Sequence, residues 1–347
     1  MRDQLRRHKG RRRRRRSRPV SFLLLLAGLA AVGWGLAGLT RYGADLAASR
    51  STARELREIY NGADPETGEE GLTTVTPDLP EETSETGKEV LTTVTPDIPE
   101  ETQETGGLAR ESAAAEMPGA KAAAPAMLLP EEVYPDNPKR QISSRFRELR
   151  KEGRDIVGWL TLDRLLDEPV VQRDHIYYMD HDARGNANVN GALFLDAGIR
   201  LDTRPYIYII FGHNMKSGKM FGCLRNYENI AYYRRDPFMT FDTMYEEGRY
   251  VVFAVGTVSM EEEDGNYMDF FGLKSADVRE RERAIQALIS ASVHTCPLDV
   301  RPEDRLLVLV TCVGKDEERR VVAARRIRED ETEAEIRKLV EKSRKKP

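Results

Sequence analysis

Cysteine is scarce in this chain: three residues, Cys223, Cys296 and Cys312, among 347. An odd number excludes a complete disulfide framework and leaves at least one thiol free. A net excess of positive charge is also missing. Charged residues make up 32 %, yet the net charge is −4, so the molecule as a whole is no polycation. His181 and His294 lack the spacing of metal ligands, and no EF-hand spacing accompanies the acidic run EEED at 261–264. That run reads as a solvated loop in preference to a calcium site, and the expectation is no metal and no cofactor. Between residues 61 and 107 apolar side chains are too few to build a core.

The modest net charge hides a strong asymmetry. Residues 1–19 carry ten Arg, one Lys and one Asp, and 20–39 (VSFLLLLAGLAAVGWGLAGL) carry no charge at all. About 20 helical residues at 1.5 Å each span roughly 30 Å of hydrocarbon. A basic block directly before such a run places the N-terminus in the cytoplasm and exports the remainder. A signal peptide cleaved near residue 50 is the rival reading, although its apolar region would usually be only about 7–15 residues. Beside a membrane span the arginines serve topology and contact with anionic lipid, not nucleic acid.

An internal repeat follows. LTTVTPDLPEETSETG at 72–87 recurs as LTTVTPDIPEETQETG at 91–106, a period of 19 residues. The composition reads as an acidic, extended spacer that lifts the next domain from the membrane. LPEET at 79–83 belongs to this spacer. The expected order is a basic cytoplasmic tail (1–19), a transmembrane helix (20–39), an extracellular linker (40–137), a catalytic domain (138–330) and a charged C-terminal tail (331–347).

The folded region opens with a helical pattern, ISSRFRELRKEGRDIVGWLTL, that passes into a strand. Short β-favouring runs then recur between Gly, Pro, Asn and Asp: EPVVQ, GALFLDA, YIYIIFG, RYVVFAVGTVSM, RLLVLVTC and RRVVAARRI. Such spacing reads as a mainly β barrel or sandwich. FGCLRNYENIAYYRRD and SADVRERERAIQALISASV read as helices between strands.

Two of these runs end on reactive residues. YIYIIFG at 206–212 stops at His213, and RLLVLVTC ends at Cys312. A basic strand, RRVVAARR, follows Cys312 within ten residues, so a hairpin would set Arg319 or Arg320 alongside it. A thiolate can serve as nucleophile where a nearby cation favours it. An imidazole can hand a proton to a departing amine, and guanidinium donors can hold an oxyanion. The constellation suits acyl transfer. Cys223 and Cys296 read as packing residues, with a disulfide between them left open.

The stretches DIVGWLTL, PVVQ, the tyrosine pair of HIYYM, GALFLD, FGHNMKSGKMFGCL, LVTC and RRVVAAR follow one another in an order that resembles the sortases, most closely class B. The resemblance covers about 154–328. It implies a closed eight-stranded β-barrel with an N-terminal helix and inter-strand helices. It also implies a membrane-anchored cysteine transpeptidase that cuts a sorting motif in secreted proteins. The thioester would then be resolved by a cell-wall or protein amine. His213 and Cys312 take the family's catalytic positions. The family's arginine falls on Arg319 when the pattern is laid on VVAAR and on Arg320 when loop length is counted. Strand side chains alternate faces, so only one points into the site; Arg319 is favoured. Tyr267 and Thr311 are carried as substrate contacts. The chain departs from the family at Val310, where serine is common, and at His175, where asparagine is. A cysteine endopeptidase using water, and a non-catalytic binding module on a stalk, are the alternatives.

Overall fold

The computed structural model describes residues 18–62, 127–313 and 315–347, with the backbone alone for most of 18–36 and for 315–316. The basic segment 1–17 and the repeats at 72–106 lie outside the described residues, as does the whole of the separate unit 68–125. Helix α1 (Arg18–Gly62) contains the apolar run 20–39 in its first half. Among the described residues no helix is both long and apolar enough to cross a membrane; most side chains of that run are not among them.

Strand β1 (Ile156–Leu162) forms a hairpin with β2 (Leu166–Val171). Strands β3 (Leu193–Leu195) and β4 (Ile207–Phe211) follow, then β5 (Phe238–Thr243) and the long β6 (Arg249–Ser259). After a helical excursion, β8 (Leu306–Val313) and β9 (Lys315–Arg326) complete a closed barrel in the order β1-β2-β3-β4-β8-β9-β6-β5. The fold class expected from the resemblance is therefore present. Strand interiors supply the core, including Ile209, Val252, Leu307, Leu309, Val322 and Ala324, all fully buried. The run read as a helix at 221–236 divides into a 3-10 helix over Phe221–Glu228 and α3 (Ile230–Arg235), capped by the Asn229 side chain. Between β6 and β8 lie α4 (Phe270–Lys274) and α5 (Val278–Ala291), each capped by an aspartate side chain, and the short β7 (His294–Thr295).

Three expected boundaries are displaced. The stretch 40–137 is not one linker. The second half of α1 packs on the barrel through Ala53, Leu56 and Tyr60, which share a helical stripe. Leu56 and Tyr60 meet Phe146 and Leu149 of α2 (Ser144–Glu152) and Trp159 of β1. Tyr60 stacks on Trp159 with centroids 4.5 Å apart, and its hydroxyl donates to Asp242. Arg57 pairs with Asp167 at 2.6 Å. In chain order the repeats therefore follow an element already docked on the barrel. The barrel domain also begins before 138. Leu129 N–H donates to Ala276 C=O at 2.8 Å, and the buried Tyr134 donates to the Leu201 carbonyl at 3.1 Å. Nor are residues 331–347 a tail. α6 (Glu333–Val340) has a capping box between Thr332 and Glu335 and buries Ile336 and Val340. β10 (Arg344–Lys345) pairs with β7. The sequence conceals these pieces because each mixes a few apolar anchors with many charges.

Candidate active site

Strands β4 and β8 run parallel with a constant register, Ile207 beside Leu306 through Phe211 beside Val310. Carrying the same offset two residues further sets His213 beside Cys312. On the other side, β9 runs antiparallel to β8, with Arg319 paired to Cys312 and Arg320 paired to Thr311. Paired residues share a sheet face and successive residues alternate. Cys312 and Arg319 therefore share one sheet face, and the β4 register carried past Phe211 brings His213 to the same end of β8. Arg320 falls on the other face, and its Nε meets Glu228 Oε1 at 2.7 Å. Arg319 Nη1 donates to the Glu318 carbonyl at 3.1 Å.

The histidine loop is tied down closely. Gly212 N–H donates to Val310 C=O at 3.3 Å, and Thr311 Oγ1 donates to Gly212 C=O at 2.6 Å. Asn214 Nδ2 donates to the Cys312 carbonyl at 2.7 Å. A Cβ on residue 212 would lie 2.5 Å from Leu193 Cδ2 and 3.0 Å from the Phe221 ring, so the loop closes this tightly only on glycine. The His213 Nε2 lies 2.6 Å from the Met179 carbonyl. A carbonyl can only accept, so Nε2 carries a hydrogen and Nδ1 is the nitrogen free to exchange a proton.

Of the three thiols, all unpaired, only Cys312 is exposed. Cys223 is buried, and its burial pushes the thiol up to about 12. Thr311, expected to touch substrate, is 2 % exposed and gives its hydroxyl to Gly212, so it braces the histidine loop. The half-buried Tyr267 bridges to Ser259, next to Val258, which pairs with Arg319. It lines an open cleft of about 560 Å³ with Asp269, Phe271 and Lys274. His175 stands edge-on to Phe211 and accepts from Ala197 N–H at 3.2 Å. Among the described residues no group of His, Cys, Asp and Glu is placed to hold a metal.

Sequence reasoning missed Asn214, although it adjoins His213, and the Met179 carbonyl, which carries no side-chain signal. It also missed Glu168. This β2 residue lines a small cavity of about 50 Å³ between α1 and the histidine loop, with Ser49, Asn190 and Lys219. Burial pushes its carboxyl up to about 7, against the opposing charges of Arg57 and Lys219.

No family model matches the chain. It is 29 % identical to sortase B of Listeria monocytogenes over 180 residues, covering 51 % of this chain and 70 % of that protein. It is 24 % identical to sortase B of Staphylococcus aureus over 184 residues, covering 50 % and 70 %. Among solved structures, a Bacillus anthracis protein similar to sortase B superposes with a TM-score of 0.48 at 25 % identity, covering 58 % of this chain and 89 % of that one. A Staphylococcus aureus sortase B–substrate complex gives 0.48 at 24 % identity, covering 55 % and 88 %.

Proposed function

Because the chain is a homologue of the class B sortases, which are cysteine transpeptidases, we propose that it is a membrane-anchored transpeptidase acting on secreted proteins that carry a sorting motif. The observation that carries the reading is the pairing of Cys312 with Arg319 across β8 and β9, with His213 two residues past the end of β4 beside β8. In this reading the Cys312 thiolate attacks the scissile carbonyl carbon. The carbonyl oxygen takes up negative charge, which the Arg319 guanidinium steadies. The tetrahedral adduct collapses to a thioester as the C–N bond breaks, and His213 gives its Nδ1 proton to the departing amine. An amine of the cell wall or of another protein then attacks the thioester, returns a proton to His213 and releases Cys312 as thiolate. The exposure of Cys312 also admits water as acceptor, which would make the enzyme an endopeptidase.

The apolar run at 20–39 behind an arginine block supports a single-pass anchor in a Gram-positive type cell membrane, with the N-terminus cytoplasmic and the barrel outside.

The test is to incubate the enzyme with a peptide library, with and without amines, and to identify products by mass spectrometry. Amine-linked products support transfer; cleaved acids alone support hydrolysis. Cys312→Ala should abolish both products and the acyl-enzyme. Arg319→Ala should cost on the order of 10²–10³ in kcat, whereas Arg320→Ala should be mild. The reverse ranking would move the role to Arg320. Full biological activity in Cys312→Ala, with no cleavage product, would favour a non-catalytic binding module instead.

A further inference from the structure

The docked half of α1 and the histidine loop meet at the same end of the barrel. The first contacts that α1 makes with the barrel lie on one compact loop, 176–191. Asn188 Nδ2 donates to the Asp45 carbonyl at 3.1 Å. Ser49 Oγ donates to Asn188 Oδ1 at 3.1 Å, and Asn190 Nδ2 reaches Ser49 Oγ at 3.2 Å. The loop folds on itself through Asn188 N–H to Asp180 C=O and Ala192 N–H to Tyr178 C=O. The Met179 carbonyl of this loop is the one that holds His213. The contacts then run down α1 to Tyr60 and Asp242 at the far end.

The same loop exposes apolar side chains that nothing in the barrel covers: Ile176 at 76 %, Met179 at 45 % and Val189 at 48 %. Val189 lies between the two asparagines that grip α1. Helix α1 is uninterrupted from the apolar run to this contact. From Leu39 to Asp45 is about 9 Å of helix, and from Asp45 to Tyr60 a further ~22 Å. Arg41 and Arg50 on α1 and Lys216 and Lys219 on the histidine loop are exposed around this end. Scattered apolar residues at a surface need no explanation, but three on one loop that is bound to a helix continuing into a membrane-length apolar run do, even with the exposed Asp174 and Asp180 beside them.

We propose that loop 176–191 rests on the lipid bilayer that holds the chain's own apolar run, with Val189 and Ile176 at the headgroup level, so that the site of His213, Cys312 and Arg319 opens beside the membrane surface. The inference rests on the anchor reading above and goes beyond it. An anchor alone would allow any distance and any orientation; a helix docked within about 9 Å of the apolar run allows one.

Tryptophan fluorescence of the full chain in phosphatidylcholine–phosphatidylglycerol vesicles with brominated acyl chains tests both steps separately. The native tryptophans are Trp34 in α1 and the buried Trp159. Quenching of Trp34 by brominated lipid reports insertion of the apolar run. In a Trp34→Phe background, which fixes the Trp159 signal, Val189→Trp and Ile176→Trp report the loop. Glu247→Trp, at an exposed position beside the Tyr60 end, reports the far end. The proposal expects at least twofold quenching at 189 and 176 and almost none at 247. Quenching of Trp34 with no greater quenching at 189 and 176 than at 247 overturns the proposal and leaves the anchor standing. An unquenched Trp34 overturns the anchor and the proposal together.

Discussion

Leu56 sits on α1, fully buried against α2 and β1. Leu56→Ala removes three carbon groups, worth roughly 2.4 kcal/mol in transfer at about 0.8 per group. The cavity left between Phe146, Leu149 and Trp159 adds to this, and buried Leu→Ala changes cost about 2–5 kcal/mol in all. For a domain of this size each kcal/mol shifts Tm by about 2–4 °C, so the expected loss is about 4–20 °C. Circular dichroism of the full chain, by heat and by urea, measures it. Glu58→Ala is the control, because Glu58 is 69 % exposed and pairs only with Arg54 on the same helix; it should stay within about 0.5 kcal/mol. The magnitude assumes that α1 unfolds with the barrel as one unit. If Leu56→Ala behaved like Glu58→Ala, α1 would be a loosely held appendage, and the reasoning about its docking would fail.

Three further outcomes follow from the same contacts. Glu168 keeps its proton in the folded protein up to about 7, whereas the unfolded chain loses it near the ordinary 4.5. Stability should fall as pH rises across that window, by at most about 3 kcal/mol at 1.36 per unit; Glu168→Gln should flatten the decline in urea titrations at pH 4, 6 and 8. Arg325 is almost fully buried and held by both Glu331 oxygens at 2.7 and 2.6 Å, so Glu331→Ala should cost about 3–5 kcal/mol, and a chain ending at residue 330 should express as insoluble protein. Gly212→Ala must push its new methyl into Leu193 and Phe221; turnover should fall well below wild type while thioester formation at Cys312 still occurs slowly, as peptide labelling followed by mass spectrometry will show.

Most of the barrel strands were legible because they bury β-favouring runs; β5 (Phe238–Thr243) was not among the runs read. YIYIIFG and LLVLVTC announce both their identity and their ends, and the alternation of faces was enough to separate Arg319 from Arg320 in principle. The chain's closure into a barrel was legible only through the family resemblance. The N-terminal docking was not legible, because Leu56 and Tyr60 stand among charges and lie far from α2 in sequence, beyond the acidic repeats. The C-terminal helix was missed for a similar reason: Ile336 and Val340 are two anchors in a basic and acidic background. At the site, His213, Cys312 and the pair Arg319 and Arg320 could be named as candidates from their side chains. The Met179 carbonyl could not, since a backbone acceptor looks the same at every position, and the hydrogen bond from Thr311 to the histidine loop depends on which face of β8 it occupies.

The parallel pairing of β4 with β8 also bears on the order in which the candidate site can be assembled. Ile207 and Leu306 are 99 positions apart, and every later pair keeps that separation. Closing a loop of that length costs about 4 kcal/mol in chain entropy before any contact repays it. The β8–β9 hairpin brings Cys312 to Arg319 across a few residues and forms early by comparison. Histidine joins the thiol only when the long closure is complete. On the proposed mechanism, a partly folded chain that has formed only this hairpin holds Cys312 beside Arg319 and still lacks His213.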